Sequence, residues 1–358
     1  MRILVTGATG YVGTRLIPEL LSRGHQVRAA YGRSEPPELS WKDEVEWVQL
    51  DVGEASSVAA AVEGMEAVFY LVHGLGGEDF RVRDLAAARS TAGECARAGV
   101  GRIVYLSGLV PDVPESELSE HLISRLEVER AFAEGSVPSL TLRAAVIIGA
   151  GSTSFEVIRQ MSEHLPVQPI PNWMCNQVQP IAVSDVVRLL AEAVDSDAEG
   201  HLDIGGPERC SYPELLRLYA AVSGLRRVQV VVPMLPEPLV SYLAGHLTRV
   251  PAGVVESLVE SLHHDMVATP GEMDRLGGDG QPLVGISEAI RRALRDPEVS
   301  ADGAEPGNDP LTASRADPDW AGGYIGLDRW GVAVHRPKDL FSRLALGLRD
   351  AGSKEERS

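Results

Sequence analysis

The stretch Ile3-Leu4-Val5-Thr6-Gly7-Ala8-Thr9-Gly10-Tyr11-Val12-Gly13 decides the fold. Ile3, Leu4 and Val5 form the short apolar run that a strand covered on both faces requires. Gly7, Gly10 and Gly13 follow at three-residue intervals, and Leu16, Ile17, Leu20 and Leu21 then repeat at helical spacing. The glycines suit a tight turn, close backbone approach to a pyrophosphate, and close packing of helix on strand. A helix starting near Tyr11 would point free N–H groups and its positive dipole end at the phosphates. Strand, glycine turn and helix in that order predict a phosphate-cradling loop built from Gly7, Thr9, Gly10, Tyr11, Val12 and Gly13.

Working outward, Gln26–Tyr31 and Val45–Leu50 read as the second and third strands, and Ala67–Val72 as the fourth. A long helix from about Asp79 to Ala98, a strand over Arg102–Leu106, a helix over Glu120–Ala133 and a strand over Ser139–Ile148 complete the half. Alternating strands and helices imply right-handed crossovers and a mainly parallel, doubly wound α/β sheet. Ligands then bind beyond the carboxyl ends of the strands, where Gly7, Tyr31, Asp51, Val72 and Ser107 fall. This half is expected to hold a dinucleotide.

The Gly-x-x-Gly-x-x-Gly spacing resembles the extended and atypical branches of the short-chain dehydrogenase/reductase superfamily. TGATGYVG, Leu50-Asp51-Val52, YLVHGLGG and IVYLSGL (Ile103–Leu109) resemble its NmrA-like NAD(P)-binding group, especially bacterial members with a helix-grip domain after the Rossmann part. The resemblance covers about residues 1–300. It implies a Rossmann core over 1–150 and a substrate-cleft region over 151–295 that returns to the core. It also places Asp51 and Val52 at the adenine, and Val72, His73 and Gly74 at the nicotinamide ribose.

The end of the second strand bears on which cofactor is held. NAD sites usually place a carboxylate roughly 20 residues past the glycines. Here that neighbourhood is Tyr31-Gly32-Arg33-Ser34, with a guanidinium at Arg33 and no acid before Glu35. A charge-assisted Arg–phosphate bond contributes about 1.5–3 kcal/mol, a roughly tenfold to hundredfold preference for NADP. NADP(H) is therefore expected, with NAD as the other candidate; Arg33 as a solvated loop cation is the alternative. Arg28 either adds to that field or faces solvent.

Active members of the superfamily carry Tyr-x-x-x-Lys on the helix after the fifth strand and a hydroxyl at that strand's end. In this chain His121 stands in the Tyr position and Arg125 in the Lys position, while Ser107 lies near the hydroxyl and Gly108 follows it. A spacing of four puts His121 and Arg125 on one helix face. Arg125 can donate to ribose hydroxyls as Lys would. Proton transfer is harder, because a neighbouring guanidinium lowers the protonated fraction of an imidazole. The candidate catalytic set is His121, Arg125 and Ser107. Two functions stay open: an oxidoreductase acting on a small organic substrate, or an NAD(P)(H)-binding redox sensor or scaffold without turnover.

The second half is less telling. Val183, Val186, Leu189, Leu190 and Val194 repeat at helical spacing. Leu202–Gly206 and Val228–Val232 read as strands, Tyr212–Val222 as a helix, and 234–247 as short helices around a cleft. Phe155, Trp173, Met174 and Tyr242 either line an apolar pocket or form core. Residues 296–319 hold almost no large apolar side chain and are expected to be a flexible linker. Residues 320–358 resemble the opening of the helix-grip domain and are too few for a domain of ~50 or more residues. The chain is therefore expected to bind cofactor even when cut after about Arg295.

The formal net charge of −18 argues against nucleic acid and acidic lipid surfaces as partners. Cys95, Cys175 and Cys210 show neither a disulfide framework nor zinc spacing, and His263-His264-Asp265 lacks further ligands, so no metal is expected. No apolar run reaches the ~18 residues of a membrane span, and the start lacks a signal-peptide pattern. A cytoplasmic protein is expected, and homo-oligomerisation is left open.

Overall fold

The structure, a computed structural model, describes residues 1–32, 36, 38–74, 79–277, 280–295, 309–314, 316–318 and 320–321. Arg33 and the tail from residue 322 on lie outside them. The N-terminal half runs β1 (Arg2–Val5), α1 (Gly13–Ser22), β2 (Gln26–Tyr31), β3 (Glu46–Gln49), α2 (Ala55–Val62), β4 (Ala67–Tyr70), α3 (Phe80–Ala98), β5 (Arg102–Gly108), α4 (Glu120–Ala133) and β6 (Ser139–Ala144). The expected strand over 139–148 is two: β6 ends at Ala144, and β7 (Ile147–Ile148) starts a separate small pairing.

Beyond β7 come α5 (Thr153–His164), β8 (Val167–Ile170), β9 (Gln177–Val178), β10 (Ile181–Ala182), α6 (Val183–Asp195) and β11 (Gly200–Ile204). These are followed by β12 (Cys210–Ser211), α7 (Tyr212–Val222), β13 (Val228–Val231), α8 (Glu237–Leu247), α9 (Ala252–Glu260) and α10 (Ile286–Ala293). The main sheet has seven strands in the order β11-β6-β5-β4-β1-β2-β3, and every pairing in it is parallel. Strand order reverses between β1 and β4, the switch point at which open α/β sheets bind ligands.

Both faces of the sheet are covered, which explains the unbroken apolar strands. Leu16, Ile17 and Leu20 of α1 are fully buried on one face with Ile3 and Val5. Leu4, Val68 and Tyr70 pack on the other with Cys95 and Phe132. Local signals set the helix starts. Ser119 caps α4 by accepting the Leu122 N–H at 3.4 Å, and Ser211 and Glu214 form a reciprocal capping box on α7.

The second half is tied to the first by β11, which extends the main sheet beside β6. A buried polar network links α5 to α7: Arg159 pairs with Glu156 at 2.6 Å, and the Tyr219 hydroxyl donates to Glu163 at 2.6 Å. Phe155, expected either in a pocket or in the core, is core, packing edge-on against Tyr219 at 6.0 Å. Trp173 and Met174 pack on a small cluster around Val255 and Leu262. Tyr242 lies against His246 at 4.0 Å. His263 stacks on Trp173 and contacts Glu237 at 2.9 Å, while Asp265 accepts the Gln177 N–H at 2.7 Å.

The polar stretch expected to be a loose linker is docked where it is described. Leu311 is fully buried, and its carbonyl accepts the Ala150 N–H at 2.9 Å. Arg292 pairs with Asp309 at 2.6 Å, and Arg15 pairs with Asp317 at 2.8 Å with both side chains 4% exposed. Two guanidinium anchors and one leucine hold a segment that has little else apolar to bury. Among the described residues no helix is long and apolar enough to cross a membrane.

Candidate cofactor and catalytic site

Thr6 stitches the switch point together. Its N–H donates to the Phe69 carbonyl at 3.0 Å, its hydroxyl donates to the same oxygen at 3.1 Å, and that hydroxyl accepts the Leu71 N–H at 3.0 Å. The ends of β1 and β4 are thereby fixed side by side. Gly7 follows with φ +67°, a left-handed conformation that disfavours any side chain, and its backbone lies close against the Leu71 carbonyl. At Gly13 a Cβ would collide with the Gly7 carbonyl oxygen and lie 2.8 Å from the Ala8 Cα. That glycine lets α1 sit directly on the loop.

The start of α1 suits an anion. Val12 at its cap offers no side-chain hydrogen bond, and the first turn holds no acidic residue. The Thr14 and Arg15 N–H groups are taken by the Gly10 and Val12 carbonyls at 3.0 and 3.1 Å, and the dipole end of the helix faces the loop. Gly10 is exposed at the turn's outer edge. The loop is a cradle that side chains on its glycines would fill, and it fits the pyrophosphate of a dinucleotide.

At the far end of β3, Asp51 is exposed, its carboxylate accepts the Gly53 N–H at 2.9 Å, and its own N–H donates to the Ser57 hydroxyl oxygen at 3.0 Å. Val52 beside it is partly buried. Arg28 faces neither solvent nor this corner: it donates to the carbonyls of Ala61 at 2.8 Å and Glu63 at 2.9 Å and pairs with Glu46 at 3.1 Å. It ties β2 to α2.

Beyond β4, one cleft gathers Val72, His73 and Gly74 with His121 and Arg125 from α4. The structure thus brings together the two helix residues singled out by their spacing and the segment expected at the nicotinamide ribose. Ser107 is not among the residues lining this cleft and is 4% exposed on β5. Arg125 packs its side chain over the neighbouring Gly108, where a Cβ would lie 3.2 Å from Cδ.

Sequence reasoning missed Phe80, Asp84 and Ser124. Asp84 accepts the Gly74 N–H through both carboxylate oxygens at 3.0 Å, and the Ser124 hydroxyl through one at 3.4 Å. It therefore fixes the segment after β4 against α4. Phe80 stacks on the His121 ring at 4.7 Å and 22°. Phe80 and Asp84 share one face of α3 at a spacing of four, a signal that was present in the sequence.

Both imidazoles are held neutral. Burial first, and then the Arg125 guanidinium, lower the His121 pKa; the carboxylates of Glu120, Glu256 and Asp84 oppose them. His73 is exposed on the wall of the cleft. Loss of hydration, then Arg125, pushes its pKa down as well. At neutral pH each ring offers one N–H and one lone pair, and Arg125 supplies the positive charge.

Residues 7–134 match a family model described as NAD(P)H-binding. A curated relative, the 3 beta-hydroxysteroid dehydrogenase/Delta 5-->4-isomerase of Mycobacterium tuberculosis, is 36% identical over 117 residues, covering 30% of this chain and 31% of the relative. The chain thus spans about a third of that relative's length. Among solved structures, a nucleoside-diphosphate-sugar epimerase from Staphylococcus aureus superposes with a TM-score of 0.65 at 13% identity, over 81% of this chain and all of its own. The triphenylmethane reductase of Citrobacter sp. complexed with NADP(H) gives 0.63 at 20% identity, over 82% of this chain and all of the reductase. The fold and the glycine loop define an NAD(P)H-binding α/β protein. Residues 7–134 thus carry the NAD(P)H-binding part, and the described chain shares the fold of these solved structures.

Proposed function

We propose that the chain is an NADP(H)-dependent oxidoreductase that reduces or oxidises a small organic substrate without the Tyr-x-x-x-Lys pair. The observation that carries this reading is the convergence of His121 and Arg125 with Val72–Gly74 in one cleft beside the glycine loop. Gly7, Thr9, Gly10, Tyr11, Val12 and Gly13 hold the pyrophosphate, Asp51 and Val52 border the adenine, and Arg33 takes the 2′-phosphate. Val72, His73, Gly74 and Arg125 hold the nicotinamide ribose. When bound, the nicotinamide supplies or accepts the hydride.

The chain's own residues then handle charge. A neutral His121 donates one hydrogen bond to the substrate oxygen, with Phe80 fixing its ring plane. Arg125 stabilises the negative charge that develops on that oxygen, an electrostatic role that needs no proton. The proton itself comes from solvent or passes through His121. Ser107, buried one residue before the Arg125 contact, would enter only by a local shift.

The lowered His121 pKa favours a second reading, cofactor binding without turnover, as in a redox sensor or scaffold. One experiment separates the two: titrate NADPH by fluorescence, then follow NADPH consumption with quinones, enones, aldehydes and hydroxysteroid ketones. Turnover that His121→Phe reduces at least tenfold supports the oxidoreductase. NADPH binding with no consumption across the panel supports the second reading.

A further inference from the structure

We propose that the Arg15–Asp317 pair positions the glycine loop for the dinucleotide, so that cofactor affinity depends on a segment some three hundred residues away in the chain. The proposal rests on the reading of that loop as the pyrophosphate site. Arg15 lies on the first turn of α1 and is 6% exposed. Its Nε donates to the Pro310 carbonyl at 2.8 Å. Nη1 donates to Asp317 at 2.8 Å and to the Tyr11 carbonyl at 3.1 Å. Nη2 donates to Asp317 at 2.8 Å, to Ala150 at 2.9 Å and to Thr312 at 3.1 Å. The guanidinium also lies 4.1 Å over the Tyr11 ring.

All the donor groups of one side chain are thus spent on three pieces of chain: the glycine loop, the turn after β7, and the strap over 309–318. Of these, the strap alone supplies a negative charge. The loop contact falls on the Tyr11–Val12 peptide. A peptide unit is planar, with its C=O and N–H pointing opposite ways. Holding the Tyr11 carbonyl towards Arg15 therefore directs the Val12 N–H away from it, out of the helix start where the phosphates sit. The Tyr11 ring is boxed in on its other side, since its hydroxyl lies against Gly149. Arg15 shares the Tyr11 carbonyl with the Thr14 hydroxyl, which donates to it at 3.2 Å, and Arg15 has no carboxylate other than Asp317 among its contacts. Asp317 is a positioning residue that touches no ligand itself.

Coupling between two sites is reciprocal, and couplings of about 5- to 150-fold are usual. The test measures both directions in the full chain. Asp317→Ala should weaken NADPH, titrated by fluorescence well below the melting temperature, by about 5- to 20-fold, and Asp317→Asn by less. Tyr219→Phe, which breaks a buried hydrogen bond remote from the loop, should lower the melting temperature and leave NADPH affinity unchanged. In the unmutated protein, saturating NADPH should slow hydrogen exchange of the amides over 309–318. A folded Asp317→Ala protein with full affinity overturns the proposal. If that variant does not fold, unchanged exchange over 309–318 on NADPH addition overturns it instead. Failure of the unmutated chain to bind either NADPH or NADH would remove the pyrophosphate reading, and this proposal with it.

Discussion

Substituting two glycines of the same loop should have opposite consequences, because their surroundings differ. At Gly13 an alanine Cβ would collide with the Gly7 carbonyl oxygen and lie 2.8 Å from Ala8 Cα and 3.0 Å from Ala8 C. These are backbone atoms and cannot rotate away. Relief requires α1 to lift off the loop, which loosens Leu16, Ile17 and Leu20, all fully buried. Overpacking of this kind costs about 1–3 kcal/mol. At roughly 2–4 °C per kcal/mol for domains of 150–250 residues, and less for larger ones, Gly13→Ala should lower the melting temperature by about 5 °C. At Gly10 the nearest atom to an added Cβ is the Gly7 carbonyl oxygen at 3.1 Å, and the residue is exposed. Gly10→Val should therefore melt within about 2 °C of the parent, while its branched side chain fills the space a pyrophosphate needs. Circular dichroism melts and NADPH titration by calorimetry make the comparison. Parental affinity in a folded Gly10→Val protein, or an unshifted melt for Gly13→Ala, would refute the reasoning.

Three further outcomes are expected. NADPH should bind more tightly than NADH, with the gap shrinking in Arg33→Ala; equal affinities for the unmutated chain by calorimetry would sink the 2′-phosphate assignment. Arg125→Ala should weaken NADPH about tenfold, the low end of a charged hydrogen bond's contribution of about 1.5–3 kcal/mol, and a change under twofold would show that it does not hold the ribose. His73 and His121 have lowered pKa values in the folded chain, so the unfolded chain takes up protons first, from about pH 6.5 downwards. Their contribution to stability is present above that pH and falls below it, so a His73→Gln/His121→Gln protein should lose less melting temperature than the parent between pH 7 and 5.5.

Most of the Rossmann half was legible because its elements carry local signals, although α2 (Ala55–Val62) went unread. Helix α4 begins and ends where its cap and periodicity place it, and β2 matches its apolar run residue for residue. The cleft was half legible. A spacing of four located His121 and Arg125, but Asp84 needed the fold, since no sequence pattern ties it to its partner Gly74, ten residues before it. The break at Ala145–Val146 left no mark: an apolar run reads the same whether it is one strand or two.

Composition misled most over 309–318. The inference that a polar segment cannot offset its ordering entropy assumes that apolar area is the only currency. Here two guanidinium groups, Arg15 and Arg292, dock the segment beside the buried Leu311, and the first of them lies inside the core. A buried Arg15 without Asp317 would be an uncompensated charge, and removing one partner of such a pair costs about 3–5 kcal/mol. The segment is therefore held as much by what its absence would cost α1 as by the burial of Leu311. Nothing in the sequence around Arg15 announces this, because the residue sits at an ordinary helical position and its partner is the 302nd residue after it. The expectation that the chain can be cut after about Arg295 at no cost to the cofactor site changes accordingly. Such a cut removes Asp317 and the Pro310 and Thr312 carbonyls together, leaving Arg15 with Tyr11 and Ala150 alone. The truncated chain should melt several degrees lower and bind NADPH more weakly, in the same proportion as Asp317→Ala or more so. A truncated protein with parental affinity would show that α1 holds the loop without the strap.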